Sequence, residues 1–278
     1  MLAVDQREAL RIMLAGDRSD PVTDEQVTQF KLAAVRTLTP YASAVLLDKQ
    51  FVLDQAIAEA AVADGCALIA GADEFFPGPG EVVGDVRIDP AVDPAHYAEQ
   101  GARAMKLLVL WRPDEPVQPR VDMVGEFVDR CHPNGLAAII EPVSRPPRDA
   151  REWDWNDGVL AAAAELGDLG ADLYKAEVPR HAEGDPALVR ADCERITELV
   201  ASPWVVLSSG VDADRFPAAV EIAVAAGASG FLAGRAVWQS SLSATDVQHA
   251  LETDAVARLQ RLVAVADAAL ATRIEQRS

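Results

Sequence analysis

Residues 171–178, Ala-Asp-Leu-Tyr-Lys-Ala-Glu-Val, form an almost continuous apolar run with Lys175 and Glu177 set inside it. An apolar run without strict alternation is what a parallel strand covered on both faces requires. Seven further stretches read the same way: 2–6, 43–48, 67–72, 105–111, 136–141, 204–209 and 230–234. Helical stretches fall between them. Residues 24–38 follow a Thr-Asp start, 55–64 are Ala-rich, and 94–103 open on Pro, a favoured first helical residue. Residues 117–131 carry Val121, Val124, Phe127 and Val128 at helical spacing and end at Asn134-Gly135. Further helices are expected over 156–166, 185–200 and 214–226, the last closed by Gly227.

Eight such strands with helices between them, in about the 250 residues typical of the fold, point to a single-domain α/β (β/α)8 TIM barrel. Residues 244–278 would form a C-terminal helical tail, with the helix itself over 245–273. An open doubly wound sheet is the alternative, but no G-x-G-x-x-G follows the first strand, which removes the usual dinucleotide fingerprint. No linker, low-complexity segment or clear repeat divides the chain. Residues 77–80 and the Pro/Arg-rich 145–151 read as loops, and the second would sit at the mouth of the barrel.

The 278 residues are half apolar, ample for a core, yet no apolar run reaches membrane-spanning length. The start, MLAVDQREAL, has no basic opening and no signal-peptide apolar region, so a cytoplasmic protein is expected. Cys66, Cys131 and Cys193 are three isolated thiols, which fits a reducing compartment. The net charge of −19 argues against a nucleic-acid partner. It leaves room for a small anionic substrate, because a few buried arginines set the field inside a pocket. Only four of the 25 basic residues are lysines: Lys31, Lys49, Lys106 and Lys175. Arg cannot lose its proton and Lys can, so each lysine merits inspection.

In a barrel the C-terminal strand ends face the active site. The polar residues there are Asp5-Gln6-Arg7, Asp48-Lys49, Asp73-Glu74, Lys106, Glu141, Lys175, Glu177, Ser208-Ser209-Gly210 and Gly234-Arg235. Lys175 is either half of a structural ion pair, a surface residue if the strand is misread, or an amine able to form a Schiff base with a ketone. Lys106 is a second lysine in an apolar strand, and either lysine admits the same readings. Glu141 is a partner for Lys106, a proton-transfer group, or both. Asp5 either orients a lysine or caps the next loop. Ser208-Ser209-Gly210 and Gly234-Arg235 fall after strands seven and eight, where barrels commonly cradle phosphate; each alone is equally an ordinary Gly turn. His96, His132, His181 and His249 are scattered and read as surface or helix-end residues, which leaves no set of zinc ligands. Trp153 and Trp155 either close over a ligand or anchor packing.

Six segments occur in order: MLAVDQRE, KLLVLWR, IIEPV, ADLYKAEVP, LSSGVD and GFLAGRAVW. Together, from residue 1 to about 240, they closely resemble the class I aldolases of the tagatose-bisphosphate aldolase family. The resemblance implies a barrel working without a metal or other cofactor, on a phosphosugar or sulfosugar, and self-associating as a homo-oligomer. By the family pattern Lys175 is the Schiff-base lysine and Glu141 the acid/base glutamate, with Lys106 and Asp5 as polar partners. Ser209, Gly210, Gly234 and Arg235 match the C1-phosphate site, and Gln6 and Arg7 positions near the other end of the sugar. Relatives acting on tagatose bisphosphate tend to end strand four in a Tyr-Tyr-Asp-type sequence. Here Leu110-Trp111-Arg112 stands instead, resembling the branch that cleaves 6-deoxy-6-sulfofructose 1-phosphate, and implying a sulfonate at C6 with Arg7, Arg112 and Arg145 as candidate ligands. The family also has a lead-in before strand one. This implies either that the true start lies upstream of Met1 or that the lower end of the barrel is covered differently. Val256, Leu259, Leu262, Val263 and Val265 read as the barrel's own final helix ahead of an association surface. An isomerase or epimerase using Glu141 and Asp5 as bases, and a non-catalytic phosphosugar sensor, are the readings from other classes.

Overall fold

The computed structural model describes residues 1–16 and 20–276. Seven parallel strands lie side by side in the order β1 (Leu2–Val4), β2 (Ala44–Leu47), β3 (Ala67–Gly71), β6 (Ala102–Trp111), β7 (Ala137–Ser144), β8 (Leu173–Glu177) and β9 (Trp204–Leu207). The expected eighth strand over 230–234 is reduced to two parallel bridges, Val206 with Phe231 and Leu2 with Ala233. Those bridges join β9 back to β1. Ala3 N–H donates to Ala233 O at 2.8 Å and Leu232 N–H to Val206 O at 2.9 Å, so the ring closes through them.

The inside of the ring is plugged by Ala3, Leu46, Ile69, Ala104, Ile139, Val205 and Leu232, one from nearly every strand, with Leu173 packed against them. A strand alternates its side chains with a period of two. The residues two positions further along, Asp5, Lys106, Glu141, Lys175 and Gly234, therefore face the same interior one layer nearer the C-terminal mouth. The larger apolar cluster lies outside the ring, between strands and helices.

That outer layer holds α1 (Glu8–Ala15), α2 (Asp24–Leu38), α3 (Leu53–Ala58), α4 (Pro94–Glu99), α5 (Val117–Cys131), α6 (Trp155–Leu166), α7 (Pro186–Leu199) and α8 (Phe216–Ala226). Local chemistry sets their starts. Thr23 and Gln26 form a reciprocal capping box at α2, Asp93 and Asp185 cap helices that open on Pro, and Asp154 accepts from two backbone N–H groups at α6. The helix expected over 55–64 is shorter, because Ala60 turns left-handed at φ 46°. The helix expected over 94–103 ends at Glu99, and β6 begins at Ala102.

Three further differences matter. The short helix α1, running on from Asp5-Gln6-Arg7, was not expected from the sequence. The loop expected at 77–80 belongs to an antiparallel hairpin, β4 (Asp73–Gly78) and β5 (Glu81–Ile88), that rises between β3 and β6. The C-terminal tail is helical as expected, as α10 (Val247–Ala250), a π-helical turn over Leu251–Ala255 and α11 (Val256–Glu275), preceded by the one-turn α9 (Arg235–Trp238). Leu259 and Leu262 of α11 are buried in the outer core, so this is the barrel's own last helix.

Candidate active site

A cavity of about 680 Å³ opens at the C-terminal strand ends. Its floor is an alternating chain of charge. Lys106 Nζ, only 1% exposed, lies 2.9 Å from Asp5 Oδ2, 2.8 Å from Asp73 Oδ2 and 3.1 Å from Glu141 Oε2. Lys175 Nζ approaches the same Glu141 oxygen at 2.9 Å. That oxygen has no aligned hydrogen-bond donor, so Glu141 is held there by charge contacts alone. Asp73 continues the chain outward: its other oxygen takes a 2.5 Å contact from Arg7, and Leu108 N–H donates to Oδ2 at 3.0 Å.

Burial acts against the charges of Lys106 and Asp5, and their partners outweigh it. Burial pushes Lys106 down, but Asp5, Asp73 and Glu141 together hold it well above its ordinary value, so it is a fixed cation. Burial pushes Asp5 up, but the charges of Lys106 and Lys175 hold it well below the usual carboxylate range.

At one side of the mouth, Ser209 and Arg235 meet where β9 and the eighth segment end, with Arg235 Nη2 donating to Ser209 Oγ at 2.7 Å. Burial lowers the Arg235 guanidinium from its ordinary value, as expected of a largely desolvated cation. Gly234 is required here, since a Cβ would stand 2.7 Å from Ala3 O and 2.9 Å from Gln6 Nε2. Gln6 thereby packs against this cradle, and its buried Oε1 has no partner.

Asp5, Gln6, Arg7, Lys106, Glu141, Arg145, Lys175, Ser209, Gly234 and Arg235 all line the cavity. Two anticipated residues do not. Gly210 stands just behind the cradle at φ 75°, where a Cβ would come 2.5 Å from the His181 ring. Arg112 was expected as a direct ligand; instead its guanidinium donates to both Glu81 oxygens, at 2.8 and 2.6 Å, and to Pro146 O. Trp111 likewise turns to the helix layer, donating to Glu165 at 3.0 Å. The Leu110-Trp111-Arg112 strand end thus acts on the surrounding structure and does not reach the cavity.

His181, expected at the surface or at a helix end, lies in the short helical turn Pro179–Ala182 after β8. It is half-buried and stacked on Trp155 at 3.6 Å between ring centroids. Trp155 is therefore a packing anchor. Arg180, His181 and Ala182 form three successive left-handed residues just after β8, a costly conformation of the kind that persists where surroundings impose it. Asp73 and the hairpin are the main features that sequence reading left without a role. The signal was present: Glu74-Phe75-Phe76 and Glu81-Val82-Val83 flank a Pro-Gly-Pro-Gly turn, which is hairpin chemistry.

A barrel of seven parallel strands, closed through bridges to an eighth segment, with a buried lysine–carboxylate floor and an arginine–serine pair at its mouth, is the architecture of a barrel enzyme with its site at the strand ends. The family model for DeoC/LacD family aldolases matches residues 1–240, and the chain belongs to that family. It is an aldolase, a carbon–carbon lyase. Among similar proteins, a tagatose 1,6-diphosphate aldolase of Listeria monocytogenes is 27% identical over 87% of this chain and 77% of its own length. Tagatose 1,6-diphosphate aldolase 2 of Enterococcus faecalis is 29% identical over 87% of this chain and 79% of its own. Among solved structures, a fructose-bisphosphate aldolase from Slackia heliotrinireducens superposes with a TM-score of 0.67 at 16% identity, covering 96% of this chain and 85% of that one, a likeness of fold. No helix among the described residues is long and apolar enough to cross a membrane.

Proposed function

We propose that the protein is a class I aldolase that cleaves 6-deoxy-6-sulfofructose 1-phosphate reversibly to dihydroxyacetone phosphate and 3-sulfolactaldehyde. The observation that carries the chemistry is Glu141 held between Lys175 at 2.9 Å and the fixed cation Lys106 at 3.1 Å. Neutral Lys175 attacks the C2 ketone, and loss of water from the carbinolamine gives an iminium, an electron sink. Glu141 accepts the C4 hydroxyl proton. The C3–C4 bond breaks, its electron pair passes to the iminium, and the aldehyde half departs. The enamine left behind is protonated at C3, and water then hydrolyses the iminium, releasing dihydroxyacetone phosphate and free Lys175. Ser209, Gly234 and Arg235 hold the C1 phosphate, and binding energy there positions the bond to be broken.

The sulfonate reading is supported by how the other arginines around the mouth are engaged. Arg7 is committed to Asp73 and lies over the Phe75 ring at 4.1 Å, and Arg112 is committed to Glu81. Arg145 donates to the Ser144 carbonyl next to it and makes no ion pair within 4 Å among the described residues, although the Glu177 carboxyl feels its charge. One uncommitted guanidinium suits a monoanion better than a phosphate near two charges. The family relatives favour a second reading, tagatose or fructose 1,6-bisphosphate cleaved by the same steps.

The test is intact mass after incubation with dihydroxyacetone phosphate and borohydride, on the wild type and on Lys175→Ala. A reduced adduct in the wild type alone is expected; an unmodified wild type would end the Schiff-base reading. Competition between the sulfonated and phosphorylated ketoses then decides the C6 group.

A further inference from the structure

We propose that the Arg112–Glu81 ion pair sets which aldehyde this enzyme accepts, by neutralising a carboxylate that would otherwise repel an anionic aldehyde. The proposal deepens the aldolase reading above and rests on it. Four observations carry it. First, the hairpin rises after the third strand of an eight-part ring, opposite the seventh and eighth, where the Ser209–Arg235 cradle stands. With the ketose C1 end in that cradle, the hairpin faces the half that leaves as aldehyde. Second, Glu81, one residue past the turn, lines the cavity, and its side chain is a quarter exposed. Third, a single nitrogen of Arg112, Nη2, donates to both Glu81 oxygens, and Arg112 is itself only 2% exposed. It is thereby removed from direct ligand contact but is in place to cancel the Glu81 charge. Fourth, the other cation that feels the Glu81 charge, Arg148, makes its own hydrogen bonds elsewhere, to Gly84 O at 2.7 Å and through Nε to Glu115.

The neighbouring roof is otherwise apolar, with Phe75, Pro77, Val82 and Val83 facing the cavity. In such surroundings an uncovered carboxylate is poorly screened and acts strongly on a ligand anion. The hairpin is also rooted in the catalytic floor, because its first residue, Asp73, holds Lys106. Roof and floor are one piece, and the pair fixes the charge at its upper end.

The experiment is the condensation reaction with dihydroxyacetone phosphate and three aldehydes: neutral D-glyceraldehyde, monoanionic 3-sulfolactaldehyde and D-glyceraldehyde 3-phosphate. The variants are Arg112→Met, Glu81→Gln and the double substitution, each also trapped with dihydroxyacetone phosphate and borohydride. In Arg112→Met the ratio of kcat/KM for the anionic aldehydes to that for D-glyceraldehyde should fall on the order of tenfold. The loss should appear in KM for the aldehyde, with the trapped adduct retained. In Glu81→Gln, which keeps one hydrogen bond to Arg112 and tests the idea even if Arg112→Met folds poorly, the ratio should rise. The double variant should return towards the wild-type ratio. An intact adduct with all three aldehydes slowed alike, or a double variant no better than Arg112→Met, would overturn the proposal and leave Arg112 a packing residue. Absence of the adduct in the wild type would overturn the aldolase reading and this proposal together.

Discussion

Lys175 Nζ and Glu141 Oε2 stand 2.9 Å apart on adjacent strands, each two residues beyond an inward-facing apolar residue, Leu173 and Ile139, whose backbones pair in register. The contact is a consequence of strand register and of side-chain alternation. Once β7 and β8 pair as they do, the amine and the carboxylate must meet one layer above the plug.

This pairing separates two steps that activity alone would merge. Glu141→Gln should lower kcat by about 10²- to 10⁴-fold, the usual worth of a positioned acid/base. It should still yield a borohydride adduct with dihydroxyacetone phosphate, whereas Lys175→Met should yield none. Full activity in Glu141→Gln would remove the glutamate from the mechanism.

Lys106 neutralises three carboxylates at once. Lys106→Met should cost about 3–5 kcal/mol, because it strands buried charge. The pH dependence follows from Asp5. Its folded-state pKa is depressed, so it contributes stability above its unfolded value of about 3.9 and loses it as the pH falls below that. Without Lys106 the acid limb of unfolding should move to higher pH. Circular dichroism melts between pH 2.5 and 7 check this, and superimposable acid limbs would contradict it.

Glu177 works in the opposite sense. Burial chiefly, and the charge of Glu141, push its carboxyl up to about 8, against the Ser144 N–H it accepts at 2.7 Å and the Arg145 charge. Its folded-state pKa lies above the unfolded value of about 4.3, so the folded chain carries a proton that the unfolded chain has released. Stability should therefore fall as the pH rises from about 4 to 8, by at most about 1.4 kcal/mol per pH unit from this group. Glu177→Gln, which mimics the neutral acid, should flatten that slope. Equal slopes in chemical denaturation of the two proteins across this range would refute the assignment.

Gly210 and His181 form a clamp behind the Ser209–Arg235 pair. Gly210→Ala adds a Cβ 2.5 Å from the ring at a φ of 75°, and both effects displace the segment that carries Ser209. KM for phosphorylated ketose should rise about tenfold or more, with kcat less affected. Adding His181→Ala should recover part of the loss, because the ring clash is relieved and only the backbone strain remains. Strictly additive effects would show that the two residues act independently.

Sequence alone carried the alternation of apolar runs and helices, and hence the barrel, because parallel strands covered on both sides must be apolar almost throughout. It also singled out Lys175, Lys106, Glu141 and Asp5, because a charge inside such a run stands out against its neighbours. The hairpin was less legible. Its strands are half-buried and polar on one side, and the Pro-Gly-Pro-Gly turn between them reads equally well as a loop. Arg112 was misplaced for a related reason. A strand-end arginine at the mouth looks like a ligand until the position of Glu81, which belongs to another element, is known.

The composition and periodicity of this chain therefore determined its layers and which charged side chains stand inside its strands, since burial and strand alternation are local properties of the sequence. Which of those groups touch was decided by the tertiary structure. Lys106 gathers Asp5, Asp73 and Glu141 from three separate stretches, Arg112 turns away to Glu81, and His181 braces Gly210. Those contacts depend on ring closure and strand register, which only the folded chain as a whole can set.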